Sequence, residues 1–304
     1  MGDAAADAAV RLGVLILRDQ NDLRRFRSRS SGEPCVLVPT MGALHEGHAS
    51  LVRRASELAR GLSHGGMVPP VVVSVFVNPT QFNEKADFER YPRDLDKDAA
   101  LCGGAGATAV FAPAVEVVYP ADGTVGVPEL PSVATEPGLE DAFRPGHFAG
   151  VCQVVKRLFD LAEPRVAVFG EKDWQQLAVV RAMARTLFPG LMIEGAPTVR
   201  EPGGLAMSSR NVFLSAQDRE RALAISAALC AACAETAPEA AEAAMKRALG
   251  AAGILPEYAV VREAASLMPL AAGSARGGVA ARALIAARVG KVRLIDNCAW
   301  GAGS

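Results

Sequence analysis

The chain has 304 residues, 50% of them hydrophobic and 21% charged, which suggests two domains and a composition able to bury a large core. A net charge of −1 and 5% aromatic content offer no general attraction for nucleic acid or an anionic membrane, and no stacking platform for single strands. No uninterrupted apolar run reaches the roughly 20 residues that span a bilayer.

Met1 to Val10 carries acids and no basic n-region, so it is not read as a secretory signal. Ala6 breaks the myristoylation pattern that would follow Gly2. The expectation is a soluble, cytoplasmic protein. The six cysteines are scattered and form no disulfide framework. Cys230 and Cys233 have C-x-x-C spacing in an alanine-rich helical stretch. They read as two small apolar residues on one helix face rather than a zinc or redox site.

In chain order, residues 1–11 read as a loose tail and Leu12 to Leu17 as a short strand. Asp19 can cap a helix running to about Arg29. Cys35 to Val38 is a short apolar run, a buried strand, and Ala49 to Arg60 has helical spacing. Gly61 to Pro70 is a surface loop. Val71 to Val77 is a second central strand, ending in Asn78-Pro79-Thr80-Gln81-Phe82, with charged residues from Glu84. Asp94 to Leu101 is a helix stopped by Gly103 and Gly104, and Ala107 to Phe111 is a third strand. Thr124 to Gly138 reads as irregular.

A helix then runs to about Leu161, followed by a strand at Arg165 to Phe169. Gly170-Glu171-Lys172-Asp173 stands at its carboxyl end, before a helix to about Leu187. Leu191 to Glu194 is a fifth strand. Alternating strands and helices imply a Rossmann-like parallel sheet with helices on both faces. After Arg200 come two helices, Ser215–Thr236 and Pro238–Ala251. Three strand-like runs follow, near Glu257–Arg262, Ala281–Arg288 and Val292–Asp296. They imply a smaller C-terminal α+β domain. The expected division is therefore 1–200 and 201–304.

The most informative stretch is Pro39-Thr40-Met41-Gly42-Ala43-Leu44-His45-Glu46-Gly47-His48, a turn between a strand and a helix. Such a helix start aims N–H groups and the positive dipole end at the turn, which suits phosphate. His45 and His48, two of only four histidines, share one side of the first helical turn, and imidazole can donate to phosphate oxygens. Gly47 leaves room for a ribose or base against the backbone. The bland alternative is one capping and one packed histidine. Three further polar clusters stand at or beyond strand ends: Asn78 to Gln81, Gly170 to Gln176, and Met207 to Arg210. In a parallel sheet, ligands bind outside the carboxyl strand ends, so one crevice is expected.

Together these motifs resemble the pantoate–β-alanine ligases, the pantothenate synthetase family among the His-x-Gly-His nucleotidyl transferases. The resemblance runs from about Val36 to Leu214. It rests on the turn just quoted and on Phe76-Val77-Asn78-Pro79-Thr80-Gln81-Phe82, Tyr91-Pro92-Arg93, Arg144-Pro145-Gly146-His147-Phe148, Gly170-Glu171-Lys172-Asp173-Trp174-Gln175-Gln176 and Met207-Ser208-Ser209-Arg210-Asn211.

The resemblance implies ATP-dependent condensation of pantoate with β-alanine through pantoyl adenylate, releasing pyrophosphate and then AMP. A carboxylate nucleophile is already ionised at pH 7, so the first step needs positioning and charge stabilisation rather than a base. His48, His45 and Lys172 are the implied catalytic groups, with His48 the better proton donor. The implied ATP-binding set is Met41, Gly42, Ala43, Leu44, His45, Glu46, Gly47 and His48, with Gly170, Glu171, Lys172, Asp173, Val199, Met207, Ser208, Ser209 and Arg210. Gly170 and Asp173 would meet the ribose; Asp173 could also simply cap a helix. Gln81, Gln176 and Asn78 would hold pantoate, since amides orient a carboxylate without quenching it. Gln175 should point elsewhere, and Arg144 and His147 should belong to the site wall.

ATP implies Mg²⁺, but no protein ligand of the metal is assigned. Asp94, Asp96 and Asp98 are candidates, although an acidic helix start also explains them. A homodimer is implied by the family alone. Where Gly203 stands the family usually has an acid, and the Gly61–Pro70 loop is longer than usual. The rival readings are another nucleotidyl transferase and a non-catalytic nucleotide-binding module. A tRNA synthetase would need a larger basic region than this chain offers.

Overall fold

The computed structural model describes residues 13–29, 34–81, 88–89, 91–271 and 273–301. The expected tail at 1–11, Leu12, Phe82 and Glu84 lie outside the described residues.

The elements run β1 Leu15–Leu17, α1 Gln20–Arg29, β2 Val36–Thr40, α2 Glu46–Gly61, β3 Val71–Val75, α3 Leu95–Gly104, β4 Ala109–Phe111, α4 His147–Ala162, β5 Val166–Gly170, α5 Trp174–Leu187 and β6 Met192–Ala196. After these come α6 Ala216–Ala234, α7 Pro238–Ala251, β7 Pro256–Glu263, β8 Ala281–Val289 and β9 Val292–Ala299. The chain divides into two compact units. The first draws on Met1–Leu130, Gly146–Gly170 and Val179–Ala196; the second on Pro131–Pro145, Glu171–Ala178 and Pro197–Ser304.

The first unit is a six-stranded sheet in the order β1-β4-β3-β2-β5-β6, parallel throughout. Val36, Val38, Val71, Val73, Val166 and Val168 form one core with Ala49, Val52 and Ala55 of α2 and Ala99 and Cys102 of α3. The alternate residues Leu37, Val72 and Ala167 are also buried, so both faces of the sheet are covered, as the near-continuous apolar strands require. The strand order reverses at β2, which pairs with β3 on one side and β5 on the other. This is the switch point at which ligands enter doubly wound sheets, and the two-histidine turn follows β2 directly.

The second unit is an antiparallel sheet, β7-β8-β9, covered by α6 and α7. Ile225, Leu229, Met245, Leu249, Ile285 and Trp300 fill its core. The indole N–H of Trp300 donates to the Ala232 carbonyl at 2.9 Å.

Two element boundaries differ from the sequence reading for local reasons. Gly103 and Gly104 do not stop α3; they stay inside it. The reversal needs a positive φ, which Gly106 supplies at 99°. Helix α2 begins at Glu46, ahead of Ala49, because His45 caps it.

Candidate active site

In the first unit the site is a helix cap built from two histidines. The Gly47 N–H donates to His45 Nδ1 at 3.1 Å, and the His45 N–H donates to His48 Nδ1 at 3.3 Å. The ring centroids are 4.2 Å apart. This is a capping box with imidazole in place of the usual hydroxyl and carboxylate. A ring nitrogen that accepts a hydrogen bond carries no proton, so both neutral rings hold theirs on Nε2. The capping role occupies Nδ1 of both rings.

Several backbone donors of this turn are engaged within the protein. The Leu44 and Ala43 N–H groups donate to the Asp98 carboxylate at 2.7 and 3.1 Å. The Gly42 N–H reaches Thr40 Oγ1 at 3.3 Å, and Thr40 Oγ1 donates to the Ser74 carbonyl at 2.6 Å. Gly42 and Ala43 have φ of 83° and 52°. A Cβ on Gly42 would lie 3.0 Å from Asp98 Oδ2, so glycine is required there. Met41 is half-buried and Leu44 buried, while Glu46 is exposed and pairs with Arg53.

Asp98 was read from sequence as a possible magnesium ligand. It is 2% exposed and braces the turn. Burial holds its carboxyl above the usual range, partly offset by the N–H groups of Leu44 and Ala43. Asp94 caps α3 by accepting from the Lys97 N–H at 3.1 Å. With these oxygens committed, and no group of three metal-ligating side chains among the described residues, the donor set does not fit a protein-held Mg²⁺.

Asn78 is buried and hydrogen-bonded through both ends of its amide. It donates to the Gly150 carbonyl at 3.1 Å and accepts from the Tyr119 hydroxyl at 2.8 Å and the Thr80 hydroxyl at 3.0 Å. Its amide therefore shapes the turn Pro79–Gln81 that carries the half-buried Gln81. The close approach depends on Gly150, where a Cβ would sit 2.7 Å from the Thr80 carbonyl oxygen. His147 is buried beside Phe148, with centroids 5.1 Å apart.

In the second unit a cleft is lined by Arg144, Lys172, Asp173, Leu205, Ala206, Ser208, Arg210, Ile225 and Arg293, with Leu294, Ile295 and Asp296 of β9. Four cationic side chains among them make it a place for an anion. Lys172 Nζ lies 3.6 Å from Asp173 Oδ2. The turn Glu171–Asp173 is held from β9, where the Asn297 amide donates to the carbonyls of both Glu171 and Lys172 at 2.9 Å. Arg282 lies over the Trp174 ring at 3.6 Å and donates to Glu171 and to Asn297 Oδ1 at 3.1 and 2.8 Å.

Gln175 is buried, with its amide on the Glu140 N–H, the Val133 carbonyl and Asp141. Its neighbour Gln176 is half-buried. Glu140 takes a two-pronged ion pair from Arg293 at 2.6 and 2.8 Å, and Arg144 stands 3.8 Å away. Burial, opposed by Glu140, lowers the Arg144 guanidinium from its ordinary value.

The Met207 N–H pairs with the Val199 carbonyl at 2.9 Å, closing a small hairpin around Gly204. Ser208 caps the turn Ser209–Phe213 by accepting from the Arg210 N–H at 3.3 Å. The segment is fixed by Asn211, whose amide donates to Glu201 and to the Ala206 carbonyl at 2.7 and 3.0 Å. At Gly203 a Cβ would meet Leu223 Cδ2 at 3.0 Å, so Leu223 would have to give way to any side chain there.

Sequence reasoning missed Asp98, Asn297 and Arg282 as supports of the motifs. Their signal is tertiary: each lies 50 or more positions from the group it holds.

A family model described as pantoate-beta-alanine ligase matches residues 15–299. The pantothenate synthetase of Rubrobacter xylanophilus is 50% identical over 298 residues, covering 93% of this chain and 98% of that protein. Among solved structures, the pantothenate synthetase of Thermus thermophilus superposes with a TM-score of 0.82 at 41% identity, covering 94% of this chain and 99% of that one. The pantoate-beta-alanine ligase of Francisella tularensis, solved with Beta-gamma ATP and Beta-alanine, gives 0.73 at 30% identity, with 94% and 97% covered. No helix among the described residues is long and apolar enough to cross a membrane. The parallel sheet with its small antiparallel companion, the two-histidine cap and these matches agree: the chain belongs to the pantoate–β-alanine ligase family and catalyses the ATP-dependent condensation of pantoate with β-alanine.

Proposed function

We propose that the reaction runs through pantoyl adenylate, and that the reciprocal histidine cap carries the first half-reaction. The supporting observation is that both Nδ1 atoms accept backbone N–H groups, which puts the proton of each neutral ring on Nε2, a donor suited to a phosphate oxygen. The pantoate carboxylate attacks the α-phosphorus. His48 and His45 stabilise charge on the departing pyrophosphate, and Lys172 adds a mobile cation. The amine of β-alanine then attacks the acyl carbon and AMP leaves.

Met41–His48 and Gly170–Asp173, with Val199 and Met207–Arg210, form the proposed ATP-binding set. Gly170 and Asp173 take the ribose, and Ser208, Ser209 and Arg210 take phosphates. Gln81 and Gln176 hold pantoate. Asn78 contributes through the turn that presents Gln81. Residues 1–200 serve ATP and pantoate, with 201–304 as the smaller lid domain. The ligands solved with the Francisella relative support taking ATP and β-alanine as ligands of this chain. Magnesium arrives with the ATP phosphates and their waters rather than in a protein cage. The family further suggests a cytoplasmic homodimer; sedimentation as a monomer across micromolar concentrations would reject the dimer.

Isotope exchange between pyrophosphate and ATP tests the route. Exchange that depends on pantoate is the expected result. Exchange that ignores pantoate, or none at all, overturns it.

A further inference from the structure

We propose that Cys233 and Cys298 form a modification site, a thiol pair that a hydroperoxide closes to a reversible disulfide. The two sulfur atoms lie 3.5 Å apart although 65 positions separate the residues. Cys233 is in the last turn of α6 and Cys298 near the end of β9, both half-exposed and both in the second unit. A disulfide needs about 2.0 Å between sulfurs, so closure asks for a small approach at a helix end, where the backbone is least constrained. The C-x-x-C spacing that draws attention to Cys230 is incidental; the partner of Cys233 comes from the sheet.

Three other cysteines lack this chemistry, and among the described residues Cys230 is paired with no other sulfur. Cys35, Cys102 and Cys152 are buried, and burial holds each thiol up at about 12, where no useful thiolate exists. Cys298 is also pushed up, first by burial and then by the facing Cys233 sulfur. Cys233, in the last turn of a helix, comes first in the oxidation. Arg276 donates to the Cys233 carbonyl, offsetting the negative end of the helix at that point.

The steps balance. Cys233 Sγ attacks one oxygen of the hydroperoxide ROOH; the O–O bond breaks, giving Cys233–SOH and ROH. Cys298 Sγ then attacks that sulfur, the S–O bond breaks, and water leaves with the Cys298 proton. Two sulfurs lose one electron each, and the peroxide is reduced by two. A thiol reductant restores both groups by exchange.

The test uses the full-length, pre-reduced enzyme treated with a small excess of hydrogen peroxide. Intact mass should fall by two hydrogens and recover with dithiothreitol. Tryptic mapping without reductant should join the fragment that begins at Ala222 to the one that begins at Leu294. The first fragment holds both Cys230 and Cys233, so C230S should keep the crosslink while C233S lowers its yield at least about tenfold. The proposal fails if C230S abolishes the link, if it joins two chains, or if wild-type sulfurs stop at separate sulfenic or sulfinic acids. The wild-type map decides this even where a variant folds poorly.

Discussion

The Asp98 carboxylate accepts the Leu44 N–H at 2.7 Å across 54 positions of sequence, so helix α3 braces the turn that carries His45 and His48. Asp98→Ala should leave the buried Leu44 N–H without a partner, at a cost of ~1–3 kcal/mol, and the part-buried Ala43 N–H at a smaller one. Adenylation should fall with it. Asp98→Asn restores one acceptor and should recover part of both.

The same carboxyl has a pH signature. Folding raises its pKa, chiefly by burial, so the folded chain binds the proton more tightly than the unfolded one. Stability tied to this group is complete below the unfolded value of about 4 and declines as pH rises through the folded value. In urea unfolding, the advantage of wild type over Asp98→Asn should shrink from about pH 4 to pH 7. A gap that widens over that range would reverse the sign.

The proposed mechanism gives His48 a second job beside its cap, and one substitution can separate the two. His48→Ala removes the acceptor for the His45 N–H and the Nε2 donor together, so stability should drop by ~0.5–2 kcal/mol and pantoate-dependent exchange by at least about tenfold. His48→Asn keeps an acceptor near the position of Nδ1. It should regain the stability and none of the exchange. Recovery of exchange in the asparagine variant would make His48 a cap only.

Lys172 and Asn297 should behave as a pair. Lys172→Ala should weaken transition-state binding more than ATP binding, because its charge matters most as pyrophosphate leaves. Asn297→Ala frees the carbonyls of Glu171 and Lys172 and should reproduce part of that loss. The double variant should be less than additive. Single-turnover adenylation at saturating ATP is the measurement; an unchanged rate in Lys172→Ala leaves it a binding residue alone.

Gln81→Glu should be far more damaging than its shape suggests. A carboxylate facing the pantoate carboxylate at contact distance is repelled by about 4 kcal/mol at an effective dielectric near 20. The apparent pantoate constant should therefore rise by orders of magnitude while ATP binding changes little. The defect should ease as pH falls and the new acid takes a proton. A small, pH-independent loss would place the acid pocket elsewhere.

The sheet was legible because each parallel strand is a short apolar run and several helices carry a start signal, such as Asp19 before α1, whose carboxylate accepts the Asp22 N–H at 2.9 Å. Ser215 before α6 does the same for the Asp218 N–H at 3.0 Å. The motif residues were legible from local order alone. What holds them was not: Asp98 reads as one acid among three, and Asn297 as a polar residue in an undistinguished strand. Their roles depend on which segments fold against each other, and periodicity carries no such information. The sequence offered one capping and one packed histidine; that the two cap reciprocally was not legible, since the box is usually read from a hydroxyl and a carboxylate.

The second unit is stitched from separate stretches of chain. Tyr258 and Arg293 clasp Glu140, and the Trp174 indole donates to the Ala264 carbonyl at 2.7 Å. A protease nick at residue 200 would therefore release a piece stripped of these partners. The 201–304 fragment would leave with the sockets for Glu140 and Trp174 empty, while the core holding Met245 and Trp300, drawn from Leu205 onward, would go with it. Recombination between relatives meets the same barrier: a crossover at that point would import Arg293 and Asn297 equivalents matched to another chain's 131–145 and 171–178. These stretches must be inherited together, so a swapped carboxyl-terminal region should be accepted only when both earlier segments travel with it.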